Sequence, residues 1–278
     1  MDTLRSDALR ILLIRDAATK AHEARQLDDT LADAAVEVLR EPPGLPGRPA
    51  RPPLVPATAL KQRAVATREG RGALIHALVH IELNAIDLAL DLVWRFASMP
   101  RSFYLDWLSV AKEEAFHFQL LHAHLQSIGF EYGDFPAHNG LWEMAEKTKG
   151  DLLVRMALVP RTLEARGLDA SPAVRAKLVG AGDDAGAQIL DIILRDEIRH
   201  VLLGNTWYRE ICRQRGLDPI STYAELARTY GAPRLRGPFN LEARRAAGFG
   251  DDELAVLAGH PNPAEEAPRD DRLRSSGR

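Results

Sequence analysis

Cysteine is nearly absent from the chain: Cys212 is the only one. That excludes a disulfide framework within the chain, a cysteine-rich zinc site and a thiolate-held iron–sulfur cluster. Charge of one sign is lacking too, since the formal net charge is −3, so the composition does not encode a nucleic-acid or membrane surface. No apolar run approaches the roughly 18–20 residues of a membrane span. The opening Met-Asp-Thr-Leu-Arg-Ser has neither the charged start nor the apolar centre of a signal peptide. The expectation is a cytoplasmic protein with no membrane partner. Strand-like alternation is also missing, which disfavours a parallel sheet.

What is present is helical periodicity. Of 278 residues, 46% are apolar, enough for a sizeable core. Residues 1–42 read as short helices, from DALRILLIRDAATKA and then DDTLADAAVEVLRE, and form a small leading segment. EPPGLPGRPARPPLVP, residues 41–56, holds seven prolines and two glycines, so 43–70 is expected to be an extended, solvated connector. Four long helices follow at about 71–97, 101–127, 141–167 and 171–215, separated by Met99-Pro100, by GFEYGDFPAHNG and by RGLDASPA. GAGDDAGA at 180–187 is a further place where the last could break. The predicted fold is all-α, a four-helix bundle over 71–216, with a helical extension at 217–260 and a polar, disordered tail at 261–278.

Two helices carry the same unusual order. KEEAFHFQ, residues 112–119, places Glu113 and Glu114 before His117; RDEIRH, residues 195–200, places Asp196 and Glu197 before His200. At 100° per residue, a Glu and a His three apart lie one turn apart on one helix face. Each motif has a lone glutamate upstream, Glu82 at 32 residues before Glu114 and Glu164 at 33 before Glu197. Such a gap spans one helix, a turn and part of the next antiparallel helix, so each lone Glu returns to the height of its motif. Glu82 sits in the apolar stretch LIHALVHIELNAIDLALDLVW, where an unpaired core carboxylate would be costly. Four carboxylates and two imidazoles converging in a bundle core match the di-iron and di-manganese carboxylate pattern, with oxygen-rich ligands suited to iron or manganese.

These features resemble the ferritin-like superfamily. The blocks HIELNAIDLALDLVWRF, KEEAFHFQLL, GDFPAHNGLWEMAEKT, RMALVPRTLEARGLDASP and ILRDEIRHVLLGN, within about residues 45–245, resemble one bacterial family of it that is labelled a domain of unknown function. The ligand pattern is more distantly similar to the tRNA hydroxylase MiaE. Carried over by position, the resemblance implies Glu82, Glu114, His117, Glu164, Glu197 and His200 as ligands of two iron ions, with manganese or a mixed iron–manganese pair as alternatives. Leu121 stands four residues after His117, where ribonucleotide reductase small subunits place a radical tyrosine, so a stored radical is not expected there. His200 is a histidine that ferroxidase centres of cage-forming ferritins usually lack.

The implied activity is a di-iron oxidoreductase that activates O2 or peroxide, a hydroxylase or monooxygenase acting on a small-molecule or RNA-linked substrate with a separate electron donor, as a monomer or homodimer. The rival readings are an iron-storage ferroxidase, a manganese catalase-like peroxide scavenger, and a non-enzymatic binding module stapled by metal. Glu113 and Asp196 are assigned to an outer layer, where a carboxylate accepts the N–H of a ligand histidine. His76, His80 and Arg161 are further outer candidates. Arg161 and Arg166 are expected to pair with Asp151, Asp169 or Glu143, and Pro160, four before Glu164, to kink or bulge its helix. Trp94, Trp107, Trp142 and Trp207 are read as core or interface anchors and Cys212 as a small buried hydrophobe.

Overall fold

A computed structural model describes residues 3–31 and 39–258. Residues 32–38 of the helix expected over DDTLADAAVEVLRE and the tail at 261–278 lie outside the described residues. Among these residues the architecture is an all-α helical bundle with no strand, apart from one isolated bridge between Leu54 and Ala137. Two short helices, α1 (Leu4–Leu12) and α2 (Ala17–Gln26), lead into it. The continuous helical pattern over DALRILLIRDAATKA divides because Asp16 caps α2, its side chain accepting from Thr19 N at 2.8 Å. Both helices contribute Leu4, Ala8, Ile11, Leu12, Ala21 and Ala24 to the main hydrophobic core.

The first long pair is α3 (Arg68–Arg95) and α4 (Arg101–Ser127). Thr67 caps α3 by accepting from Gly70 N. Pro100, which cannot donate to a helix ladder, starts α4. Tyr104 holds the turn between them: its hydroxyl donates to Phe96 O at 2.9 Å and accepts from Met99 N at 3.1 Å. Trp94, Trp107 and Trp142 are buried, as is Trp207, whose indole N–H donates to Asp106 at 2.9 Å.

The second pair departs from the expected boundaries. The predicted helix over 141–167 is two pieces, α5 (Gly140–Thr148) and α6 (Leu152–Leu158), parted at Lys149-Gly150-Asp151 with Asp151 capping α6. The chain then makes one π-helical turn, Val159–Glu164, and continues as α7 (Ala165–Gly180) straight through RGLDASPA. The break falls within GAGDDAGA instead, where Gly182 adopts φ +73° and Asp183 caps α8 (Asp184–Arg215) by accepting from Gly186 N. Three short helices finish the fold: α9 (Pro219–Thr229), α10 (Leu241–Ala246) and α11 (Asp251–Leu257).

Helix α3 satisfies the length and composition of a membrane span, with a mean hydropathy of 1.5, contrary to the expectation from sequence; 72% of that window is buried inside the protein, so the core accounts for its apolarity. It also has a buried polar stripe of His76, His80, Asn84, Asp87 and Asp91. His76 Nε2 accepts from Gly133 N at 2.9 Å, and His80 faces Tyr132 Oη at 2.7 Å and His138 O at 3.0 Å. Asn84 Oδ1 accepts from Arg48 at 3.1 Å, Asp87 binds Lys20 at 2.5 Å, and Asp91 pairs with Arg95 and the buried Arg155. The stripe thus ties down α2, the proline-rich connector and α6.

The connector is therefore a strap and less solvated than expected: Pro46, Gly47 and Pro52 are buried. Gly47 is a place where only glycine fits, since a Cβ there would stand 2.1 Å from Leu13 O. Lys20 Nζ, which also donates to Gly47 O at 2.8 Å, belongs to a pair only 1% exposed on either side. Asp87→Ala leaves that ammonium without its counter-charge and is expected to cost about 3–5 kcal/mol, whereas Lys20→Met with Asp87→Leu should recover most of the loss. Denaturant midpoints of the three proteins check this, and a single variant as stable as the double would refute it.

Candidate metal centre

The four long helical segments bring the two motifs and the two lone glutamates together. Glu82 comes from α3, Glu114 and His117 from α4, Glu164 from the last position of the π-helical turn, and Glu197 and His200 from α8. Ligand-type atoms of Glu82, Glu114, His117 and Glu197 all lie within 4.8 Å of one another. His117 Nδ1 stands 3.3 Å from Glu114 and 3.5 Å from Glu82, and His200 Nδ1 stands 2.9 Å from Glu114 and 3.9 Å from Glu197. Glu114 and both histidines have no exposure at all.

Burial opposes charge at every one of these groups, and their mutual contacts decide which keep it. Burial and the Glu114 charge push Glu82 well above the carboxylate range, and burial with Glu197 and Glu114 does the same to Glu164. Burial and Glu114 also raise Glu197. Burial disfavours a charged Glu114 as well, but His200 and His117 outweigh it and hold Glu114 far below its usual value. Against burial, hydrogen bonds to Glu114 and Glu82 push His117 up to about 11, and Glu114 and Glu113 hold His200 well above its ordinary value. The cluster thus balances its own charge by holding protons. Even so, Glu82 Oε2, Glu114 Oε1, Glu164 Oε2, Glu197 Oε2 and His200 Nδ1 are buried without a well-directed hydrogen bond, close as some of them stand to one another, a set of donor atoms that fits hard or borderline cations.

The outer acids cross between the motifs. Glu113, beside Glu114, binds His200 Nε2 at 2.7 Å; Asp196, beside Glu197, binds His117 Nε2 at 3.1 Å. Each helix therefore orients the imidazole of the other through the nitrogen that faces away from the cluster. Helix periodicity could not reveal this, because it relates residues within one helix only. His76, His80 and Arg161 make their contacts elsewhere: the histidines face the loop at 132–138, and Arg161 turns to Asn205 and Glu253. The pairings expected for Arg161 and Arg166 are also replaced, because Asp169 binds Arg244 at 2.6 Å and Asp151 binds Arg215 at 2.9 Å.

Residues 13–255 match the family model described as "Protein of unknown function (DUF455)". The chain belongs to that family. A relative from Haemophilus influenzae, carrying only the name of an uncharacterized protein, is 48% identical over 213 residues, which is 74% of this chain and 74% of its own. No solved structure matches the chain. The family match bears out the expected membership in a family of unknown function, and its span includes all six cluster residues.

Glu164 owes its place to a local defect. Pro160 has no N–H to give the helix ladder, and the backbone widens into the π turn. Thr162 Oγ1 donates to Ala157 O at 2.7 Å, and Tyr223 Oη lies 3.0 Å from the same hydroxyl. Opposite, a Cβ on Gly204 of α8 would stand 2.5 Å from Pro160 Cβ, so the bulge needs glycine there. Gly204→Ala is expected to overpack this contact at about 1–3 kcal/mol and to displace the π turn. Thermal unfolding together with amide exchange over 158–165 checks it; unchanged exchange would mean the bulge does not lean on Gly204.

Proposed function

We propose that the cluster holds two metal ions, iron foremost, and that the protein is a ferritin-like di-iron oxidoreductase acting with O2 or peroxide on an organic substrate. The observation that carries this reading is the convergence of buried, unpartnered oxygen and nitrogen atoms from four helical segments. Glu82, Glu114, His117, Glu164, Glu197 and His200 would provide the ligands, one imidazole to each ion. Iron bound there supplies redox chemistry toward O2 or peroxide that no side chain of the chain offers.

The chain's own part is binding, orientation and exclusion of water. Glu113 and Asp196 accept the outward N–H of His200 and His117, so that once metal displaces the inner proton each Nδ1 would turn its lone pair toward the cluster. Arg199 holds Glu113 at 2.8 Å, and Arg195 holds Asp196 at 2.8 Å. Leu121, Phe118, Ala115 and Ala111, on the same helix as Glu114 and His117, are buried and apolar, and would help to keep solvent from the carboxylates.

Reconstituted protein should bind about two metals per chain and consume oxygen when reduced. Glu114→Ala, which removes the carboxylate touching both imidazoles, should empty or halve the site, and Glu113→Gln or Asp196→Asn should weaken metal binding by about 10–100-fold. Elemental analysis and oxygen uptake test these values; stoichiometry of one or none in the unaltered protein would end the di-metal reading.

Metal would have to displace protons that the cluster retains without it. The raised values of His117 and His200 keep both imidazoles protonated at neutral pH, and the raised Glu82 and Glu164 stay neutral above the usual carboxylate range. Affinity should therefore climb at least about tenfold per pH unit through neutrality, with protons released on binding, and fall away as pH drops. Titrations in two buffers of different ionisation enthalpy measure this, and a pH-independent affinity would contradict histidine ligation.

A further inference from the structure

The polypeptide after α9 folds back on the segment that carries Glu164. Arg161, in the π turn three residues before Glu164, is buried and donates to Asn205 Oδ1 on α8 and to Glu253 on α11. Its guanidinium is caged by Tyr208, Tyr223 and Phe249 at 4.9, 5.0 and 4.9 Å. Glu253 also accepts from Gly250 N at 2.8 Å and from Arg209 at 3.2 Å, so its carboxylate is fixed from three sides. One turn further along, Arg244 of α10 is fully buried, binds Asp169 at 2.6 Å and donates to Ala165 O, the carbonyl next to Glu164, at 3.3 Å. The two arginines stack on Phe249, Arg244 at 5.0 Å.

This cap has its own apolar core, separate from the main one. Ala243, Ala247, Phe249 and Leu254 pack on Ala165 and Leu168 of α7 and on Val201 of α8, with Ile198 alongside. Glu82 and Glu114, by contrast, sit on uninterrupted α3 and α4. The π turn exchanges the α-helical ladder for the rarer i→i+5 pattern at Pro160, so its geometry leans on neighbours outside the helix.

We propose that α10 and α11 are a clamp that sets Glu164, with Glu253 as a positioning residue acting through Arg161, so that the half of the metal site holding Glu164 is assembled only when the cap is docked. The metal arm of this proposal rests on the di-metal reading above; the clamp itself does not. Because coupling is reciprocal, metal at the Glu164 half also tightens the cap.

The test compares full-length wild type, Glu253→Ala and the milder Glu253→Gln, by stepwise Fe(II) titration under argon and by hydrogen exchange of metal-free and loaded protein. Glu253→Ala should weaken one of the two binding steps by about 10–100-fold and leave the other unchanged, with Glu253→Gln between it and wild type. In the metal-free protein, exchange over 159–168 should quicken relative to 101–127. In wild type alone, loading should slow exchange over 241–257. Equal weakening of both steps, or unaltered exchange over 159–168, overturns the clamp, since a general loss of stability does not separate the steps. Wild type that takes up no metal overturns the di-metal reading, and the metal-free exchange comparison then decides the clamp by itself.

Discussion

Like-charged carboxylates in a medium that solvates them poorly repel one another strongly, and the core of this bundle contains four of them. The arrangement around them answers that repulsion in layers. Outward from Glu114 comes the His200 imidazole, then the Glu113 carboxylate, then the Arg199 guanidinium. A second series runs from Glu82 and Glu114 to His117, Asp196 and Arg195. Sign alternates at each step and solvent exposure grows, so the outermost charges meet water where their cost is small. Protons complete the balance, and under the di-metal reading a cation would take their place without any new counter-charge.

The two halves of the cluster are supported by different physics. Glu82, Glu114 and His117 project from helices whose ladders are unbroken and whose outer faces belong to the main core. Glu164 stands at the end of a turn opened by Pro160, fitted against Gly204 and backed by a satellite core. Regular helix gives rigidity at no extra cost in contacts; a bulge gives a side-chain direction that regular helix cannot reach but depends on its neighbours.

The six cluster residues were legible in the sequence because the spacing that gathers them is written along single helices: three residues within each motif, and 32 or 33 between the lone glutamate and its motif. The α3 and α4 boundaries followed from caps and from Pro100. The third helix was misjudged because Lys149-Gly150-Asp151 interrupts an apolar rhythm that resumes in phase, and because RGLDASPA looks like a turn although Pro172 is accommodated inside α7. The crossed pairs of Glu113 with His200 and Asp196 with His117 were out of reach, since no periodicity links side chains on different helices. The same holds for Arg161, whose partner Glu253 lies 92 residues away.

Helix α3 serves two masters on different sides. Glu82 faces the cluster, while His76 and His80 hold the loop at 132–138, Asn84 holds the strap, Asp87 holds α2 and Asp91 holds α6. One added or deleted residue between 76 and 91 would turn everything beyond it by about 100°. That would carry either the carboxylate or the anchoring stripe off its partners, and no shift of the helix along its axis could restore both. The length of this stretch is therefore fixed by geometry, and natural variation in chain length within the family has to be absorbed outside it, in the loops and at the two ends.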